Sequence, residues 1–135
     1  MMASEGREAV LKNLLADVAD DFEYIIIDSP PSLSLLTVNA MTAANKLLIP
    51  LQCEFYALEG IGQLMQTMTL IKSSLNPDLE ISGILLTMFD KRTNLSYQVA
   101  DEAEKHFNGL VFNTVVPRNV RLSEAPSFEI GRAHV

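Results

Sequence analysis

The feature that most constrains the fold is a short apolar run that ends abruptly in a carboxylate and two prolines. Residues 24–27 are continuously apolar and mostly β-branched, and Asp28 follows them directly. Pro30 and Pro31 then stop a strand from continuing. An apolar run without alternation predicts a strand that is buried on both faces of a sheet. Ligands of open α/β sheets bind beyond the carboxyl ends of the strands, so we expect Asp28 at a ligand-binding edge.

Hydrophobic periodicity along the chain alternates between helical and strand-like segments. Helices are predicted over residues 7–20, 32–44, 58–74 and 95–107. Strands are predicted over residues 24–27, 46–50, 81–89 and 111–116. Ser32 is the predicted N-cap of the second helix. Strict alternation implies right-handed crossovers, and therefore an α/β fold with a parallel sheet and flanking helices. The loops after the strands are expected along one edge of the sheet and begin at Asp28, Leu51, Asp90 and Pro117.

Composition excludes several classes of protein. The 135 residues suit one domain, and 48% hydrophobic with 20% charged residues is typical of a globular chain. No apolar run is long enough to cross a bilayer. A net charge of -7 argues against a broad nucleic-acid surface but permits a local basic patch.

Three other residue types have simple structural interpretations. The single Cys53 has no His near it in sequence, which favours a buried or loop thiol and is consistent with a reducing cytoplasm. His106 falls late in a predicted helix, where an exposed position is expected. Met65 and Met68 have helical spacing and are predicted core residues.

Five blocks of the sequence resemble, in order, the Walker B and downstream regions of ParA-type partitioning ATPases, the Soj subgroup in particular. The blocks are IIIDSPPS with LLTVNA at 25–32 and 35–40, IPLQCEFYALEG at 49–60, GILLTMFD at 83–90, RTNL at 92–95 and VPRNVRLSEAPS at 116–127. The similarity covers nearly all of residues 7–128. It implies a partial P-loop NTPase fold.

The resemblance gives the opening run a specific role. Asp28 matches the Walker B acid, which holds magnesium through a metal-bound water. Ser29, Pro30 and Pro31 match the switch loop. Because each proline restricts the residue before it, the loop is held extended, and such a loop can move as a unit when a phosphate is gained or lost.

The resemblance also implies a nucleotide-binding loop. Pro117, Arg118 and Asn119 match the segment that packs against the adenine base, where a proline ring supplies a flat apolar face and backbone groups read the base edge. An ordinary strand-ending turn is the alternative. Asp90 is expected to border the same pocket, with a solvated turn acid as the alternative.

Two arginines match positions that the family uses for sequence-independent DNA binding. Arg92 and Arg121 carry the planar fork that pairs with phosphate oxygens. A few such contacts give weak affinity that falls steeply with salt. Solvated surface arginines are the alternative interpretation of both.

The function implied by the resemblance is ATP-dependent DNA segregation. The full-length family member binds ATP with Mg²⁺, forms a homodimer when ATP-bound and binds non-specific DNA. A ParB-type partner stimulates its ATPase activity. The implied location is cytoplasmic and nucleoid-associated, without membrane binding.

The family's phosphate-binding loop is absent from the sequence, which contains no Gly-Lys-Thr or Gly-Lys-Ser. Residues 1–128 are therefore expected to be the C-terminal part of a ParA-type ATPase domain, and this chain alone is expected to have no significant ATPase activity. Residues 129–135 depart from the family pattern and are expected to be a foreign tail.

Two other functions stay open at this point. A MinD-like ATPase of the same superfamily would bind membrane through an amphipathic helix. A non-catalytic α/β binding module would act through its surface alone. Arg92 and Arg121 together favour DNA over membrane.

Overall fold

A computed structural model describes residues 6–30, 32 and 34–119 of the chain. The described elements are, in order, a 3-10 helix Arg7–Ala9, α1 Val10–Ala16, a 3-10 helix Ala19–Asp21, α2 Leu35–Ala43, β1 Lys46–Gln52, α3 Ala57–Ser74, β2 Glu80–Phe89, α4 Asn94–His106 and β3 Val111–Pro117. The predicted tail 129–135 lies outside the described residues. No helix within the described ranges is both long and apolar enough to cross a bilayer.

The three strands form a parallel sheet in the order β1-β2-β3. β2 is therefore the central strand, and it pairs with β3 at Ile84 and Val111, at Leu86 and Val115, and at Phe89 and Pro117. Helices α3 and α4 form the crossovers between successive strands. The predicted fold class, a parallel α/β sheet with flanking helices, is confirmed.

The prediction of a buried strand over residues 24–27 is wrong. The segment is not a strand, and within the described residues the sheet consists of β1, β2 and β3. Tyr24 is 81% exposed and Ile26 is 91% exposed. A strand exists only where neighbouring strands accept and donate its backbone hydrogen bonds, and apolar sequence alone does not supply them.

The predicted N-cap of α2 is displaced by two residues. The Oγ of Ser34, not of Ser32, accepts a hydrogen bond from the backbone N–H of Thr37 at 3.5 Å. The carbonyl of Ser32 instead accepts from the hydroxyl of Thr37. Both serines can cap a helix in principle, and the start of the helix at Leu35 decides between them.

The chain forms two compact units, and the first comprises residues up to 49 together with 59–83. Its core is built from the buried side chains of Met41, Met68, Ile71 and Leu79. Half-buried apolar side chains pack around this cluster: Val38, Ala44, Leu47, Leu64, Met65 and Ile81. The core position predicted for Met68 is thus confirmed, and Met65 is half-buried against the cluster.

Two asparagines tie the helices of the first unit together. Asn39 on α2 accepts from the backbone N–H of Leu11 at 3.1 Å and donates to the carbonyl of Arg7 at 2.8 Å. Asn76 follows α3, and its amide donates to three carbonyls at the end of α2. Those carbonyls belong to Met41, Thr42 and Ala44, at 3.0, 3.1 and 2.7 Å. The last carbonyls of a helix need such partners when they are buried.

The second unit comprises residues 50–58 and those from 84 onward. Its buried apolar side chains come from the strands, from the residue after β1 and from α4, and they are Leu51, Cys53, Ile84, Leu86, Phe89, Val99 and Ala103. The carboxyl ends of β1, β2 and β3 all belong to this unit. Residues that follow those strands are therefore the ones that the sheet positions.

We expect Asn76→Ala to lower the free energy of unfolding by about 1–3 kcal/mol, because it leaves carbonyls at the end of α2 unsatisfied. Asn76→Asp has nearly the same shape but replaces the amide donor with an acceptor, so it should destabilise at least as much. Equilibrium urea denaturation measures both. Asn108→Ala, at an exposed turn residue, is the control and should change stability by less than about 0.5 kcal/mol. Equal stabilities of the Asn76 and Asn108 variants would contradict this role.

Candidate functional site

A cavity of about 270 Å³ lies at the carboxyl ends of β2 and β3, within the second unit. Its lining residues are Phe89, Asp90, Lys91, Arg92, Val115, Pro117 and Arg118. Apolar groups from both strands meet one carboxylate and three cationic side chains there. This is the edge at which ligands of open α/β sheets bind.

A bulge in β2 lies directly before the residues of that strand that line this cavity. Between the Leu86–Val115 and Phe89–Pro117 pairs, β2 advances three residues while β3 advances two. Met88 within this stretch has φ 54, in the left-handed region that non-glycine residues rarely adopt. The extra residue shifts the alternation of side chains between the two faces of the sheet before Phe89. Bulges of this kind commonly re-aim side chains beside functional sites.

The backbone of Asp90 is held by the start of α4. Its N–H donates to the Oγ of Ser96 at 3.0 Å, and its carbonyl accepts from the N–H and the hydroxyl of Thr93, each at 3.1 Å. Thr93 is the N-cap of α4, and its Oγ1 accepts from the N–H of Ser96. The carboxylate of Asp90 thus projects from a turn whose polar groups are hydrogen-bonded to one another.

Asp90 and Arg92 form a forked ion pair at the cavity. Nε of Arg92 lies 3.0 Å from Oδ1 of Asp90, and Nη2 lies 3.0 Å from Oδ2. The backbone N–H of Arg92 also donates to Oδ1 at 3.0 Å. The side-chain hydrogen bonds of Arg92, then its backbone hydrogen bond, lower the pKa of Asp90 to about 2. Asp90 is therefore an anion throughout the physiological range.

Phe89 and Pro117 form facing walls at the ends of their strands. The ring of Phe89 packs edge-on against Tyr97 of α4, with centroids 5.2 Å apart. Pro117 ends β3 opposite Phe89, and the N–H of Arg118 donates to the carbonyl of Phe89 at 3.0 Å. This bond extends the β2–β3 ladder by one residue and fixes where the Arg118 side chain begins. Asn119 follows directly and is exposed.

The structure thus brings four predicted site residues together: Asp90, Arg92, Pro117 and Arg118. Asp28, Ser29 and Pro30 lie in the first unit, are exposed and belong to no strand. The expectation that Asp28 ends a buried strand is wrong, because no strand in the described part of the chain pairs with residues 24–27. Pro31 and Arg121 lie outside the described residues.

Sequence reasoning missed the contributions of Lys91 and Ser96. Lys91 lines the cavity between Asp90 and Arg92, and the run of three charged residues after a strand was a usable signal. Ser96 follows three residues after Thr93, the spacing at which an N-cap and its partner meet.

The remaining polar candidates, Cys53 and His106, do not line the cavity. Cys53 is buried, its N–H donates to the carbonyl of Thr87 at 3.0 Å, and burial raises the pKa of its thiol. His106 is exposed at the end of α4, with its Nε2 3.8 Å from a carboxylate oxygen of Glu102. Among the described residues, no three His, Cys, Asp or Glu side chains are grouped so as to hold a metal ion.

Comparison with known proteins places the chain in a family. Residues 1–81 match the family model described as the AAA domain. The chromosome partitioning protein ParA of Myxococcus xanthus is 56% identical over 128 residues, which cover 95% of this chain and 45% of that protein. The sporulation initiation inhibitor protein Soj of Bacillus subtilis is 58% identical over 122 residues, covering 90% of this chain and 48% of that protein. The chain spans about half the length of the curated relatives that it matches.

A solved structure agrees in fold. The crystal structure of cobyrinic acid a,c-diamide synthase from Mycobacterium smegmatis, with bound ADP and magnesium, superposes with a TM-score of 0.79 at 40% identity. The match covers 87% of this chain and 48% of that one. These matches confirm the resemblance seen in the sequence blocks: the chain belongs to the AAA domain family and is a ParA/Soj-type protein.

Proposed function

We propose that this protein is a partitioning ATPase that binds ATP with Mg²⁺, dimerises and binds DNA without sequence preference. A ParB-type partner would stimulate hydrolysis and release the protein from the nucleoid. The relatives named for chromosome partitioning and Soj are 56–58% identical, which supports this function over that of the synthase, at 40%. The single observation that carries the proposal is the cavity beyond β2 and β3.

The cavity suits one side of a nucleotide. Phe89, Val115 and Pro117 give it apolar walls, and a few polar groups at the rim are what binding pockets use for specificity. We assign Pro117, Arg118 and Asn119 to the adenine side, with Asp90 at the border. Three of these four line the cavity, which supports the assignment.

Asp28 fits a magnesium ion that is held mainly by water and phosphate. Mg²⁺ prefers oxygen ligands and is usually bound by one or two carboxylates while it keeps several waters. Asp28 is exposed and provides one such carboxylate. The bound ion would neutralise phosphate charge. Ser29 and Pro30, which follow Asp28, and Pro31 would form the switch loop.

DNA binding needs local positive charge on an acidic chain. Lys91 and Arg92 follow β2 directly and supply two positive charges that the adenine assignment does not use, although the chain as a whole carries -7. We assign Arg92 a contact to a DNA phosphate, together with Arg121. A dimer would present two such patches, and binding by few contacts is weak and salt-dependent.

We expect Asp28→Asn in the full-length protein to reduce Mg²⁺-dependent phosphate release from ATP by roughly 10- to 100-fold, the usual cost of losing an outer-shell metal partner. Asp17→Asn, at an exposed acid beyond α1, is the control and should retain activity. The 135-residue chain alone should show no Mg²⁺-dependent turnover. Unchanged turnover and unchanged Mg²⁺ dependence of Asp28→Asn would contradict the assignment.

For DNA binding, we expect Arg92→Ala to weaken binding of full-length protein to a random-sequence duplex with ATP and Mg²⁺ present. The slope of log affinity against log salt should become shallower by up to about 0.9 for each arginine–phosphate interaction that the substitution removes. Fluorescence polarisation over a salt series measures this, with Arg7→Ala as a matched control. Wild-type protein should not sediment with anionic liposomes, and sedimentation without DNA binding would favour a membrane ATPase instead.

The pKa of Asp90 provides a pH-dependent test of the ion pair. Arg92→Ala should raise this pKa from about 2 toward the ordinary 3.8, because the side-chain hydrogen bonds and the positive charge are removed. Since the folded-state pKa lies below the unfolded value, the pair stabilises the fold above about pH 4, and this contribution disappears as the pH falls toward 2. NMR titration of the carboxyl carbon measures the midpoint. Lys105→Ala, which removes a cation paired with Glu102, should leave it unchanged.

A further inference from the structure

The carboxylate of Asp90 occupies one edge of the Arg92 guanidinium. Nε and Nη2 both donate to it at 3.0 Å, which uses two of the five N–H groups of the side chain. The other three N–H groups of Arg92 do not bond to Asp90. A phosphate oxygen that approaches Arg92 therefore meets a cation whose charge is already compensated at close range.

The two partners differ strongly in exposure. The side chain of Arg92 is 86% exposed, whereas that of Asp90 is 13% exposed. The backbone of Asp90 is fixed by its hydrogen bonds to Thr93 and Ser96. The carboxylate therefore lies on an anchored turn, whereas the guanidinium extends into solvent and is held there by the carboxylate.

The strength of this restraint is limited by solvent. Because the guanidinium of Arg92 is exposed, water and salt screen its attraction to Asp90, as in other ion pairs at protein surfaces. Arg92 can therefore exchange Asp90 for another anion at low cost. The pair is strong enough to bias Arg92 and weak enough to be broken by a polyanion.

Resting on the proposed function, we infer that Asp90 is a positioning residue that attenuates DNA binding by holding Arg92 in this ion pair. DNA gains the full contact only when a phosphate displaces or shares the Asp90 carboxylate. Asp90 thereby keeps the affinity for non-specific DNA low. Removing its carboxylate strengthens DNA binding only where Arg92 is present.

The test compares Asp90→Asn with Asp101→Asn in the full-length protein. Both changes remove one negative charge, but Asp101 is an exposed acid on α4 outside the ion pair. Asparagine at 90 retains an oxygen that can accept from the N–H of Arg92, so the turn should remain folded, which circular dichroism checks. Affinity for a random-sequence duplex is measured over a salt series with ATP and Mg²⁺.

We expect Asp90→Asn to bind the duplex roughly two- to fivefold more tightly than Asp101→Asn at low salt, which matches the coupling of an exposed ion pair. Its salt dependence should be steeper by up to about 0.9 in the log–log slope. In an Arg92→Ala background, Asp90→Asn should have no more effect than Asp101→Asn. A merely structural role would not produce this dependence on Arg92.

The outcomes separate this inference from the proposed function. If Arg92→Ala weakens binding but Asp90→Asn binds no more tightly than Asp101→Asn, the attenuation by Asp90 is refuted and the role of Arg92 in DNA binding stands. If Arg92→Ala binds as wild type does, that role fails and the attenuation fails with it. An equal gain for Asp90→Asn with and without Arg92 would show a general charge effect and would also refute the inference.

Discussion

The backbone ladder on either side of β2 is the interaction on which the candidate site depends. The N–H of Cys53 reaches the carbonyl of Thr87, the N–H of Ile84 reaches that of Leu110, and the N–H of Arg118 reaches that of Phe89. These bonds align the ends of three strands whose order along the chain separates them widely. Side chains that follow the strands then lie along one edge of the sheet, although they are far apart in the sequence. The cavity is a product of this alignment, since its walls come from β2 and β3 and its charges from the loops beyond them.

The sequence was most informative where local pattern and tertiary packing agree. Residues 81–89 and 111–116 were predicted as strands and form them, because each finds a neighbour to pair with. Residues 24–27 are equally apolar but are not a strand. The prediction failed because the hydrogen-bond partners that a strand needs cannot be read from the segment itself. The grouping of Asp90 with Pro117 and Arg118 was predictable from the strand ends and the family blocks. The forked bonding of Arg92 was not, because it depends on the turn conformation rather than on residue type.

Charge in this protein is organised locally rather than globally. The chain is acidic overall, yet three of its ten Lys and Arg side chains line one cavity with a single carboxylate. At a basic rim on an acidic molecule, polyanions meet locally favourable charge against an unfavourable net charge. The apolar walls contributed by Phe89, Val115 and Pro117 lie beneath the same rim. One edge of the sheet therefore combines a surface suited to a flat apolar group with a surface suited to phosphate.

The bulge at Met88 makes the site sensitive to chain length as well as to residue identity. A strand alternates its side chains between two faces, so one residue more or less exchanges the faces of everything beyond it. Removing a single residue from this stretch would give β2 and β3 equal spacing there and would move Phe89 and Asp90 to the opposite faces of the sheet. Substitutions at Met88 leave the pairing of β2 with β3 unchanged, whereas deletion of one residue shifts that pairing by one position. Among natural variants of this protein, we therefore expect the spacing between Leu86 and Asp90 to be more tightly constrained than the residue type at position 88.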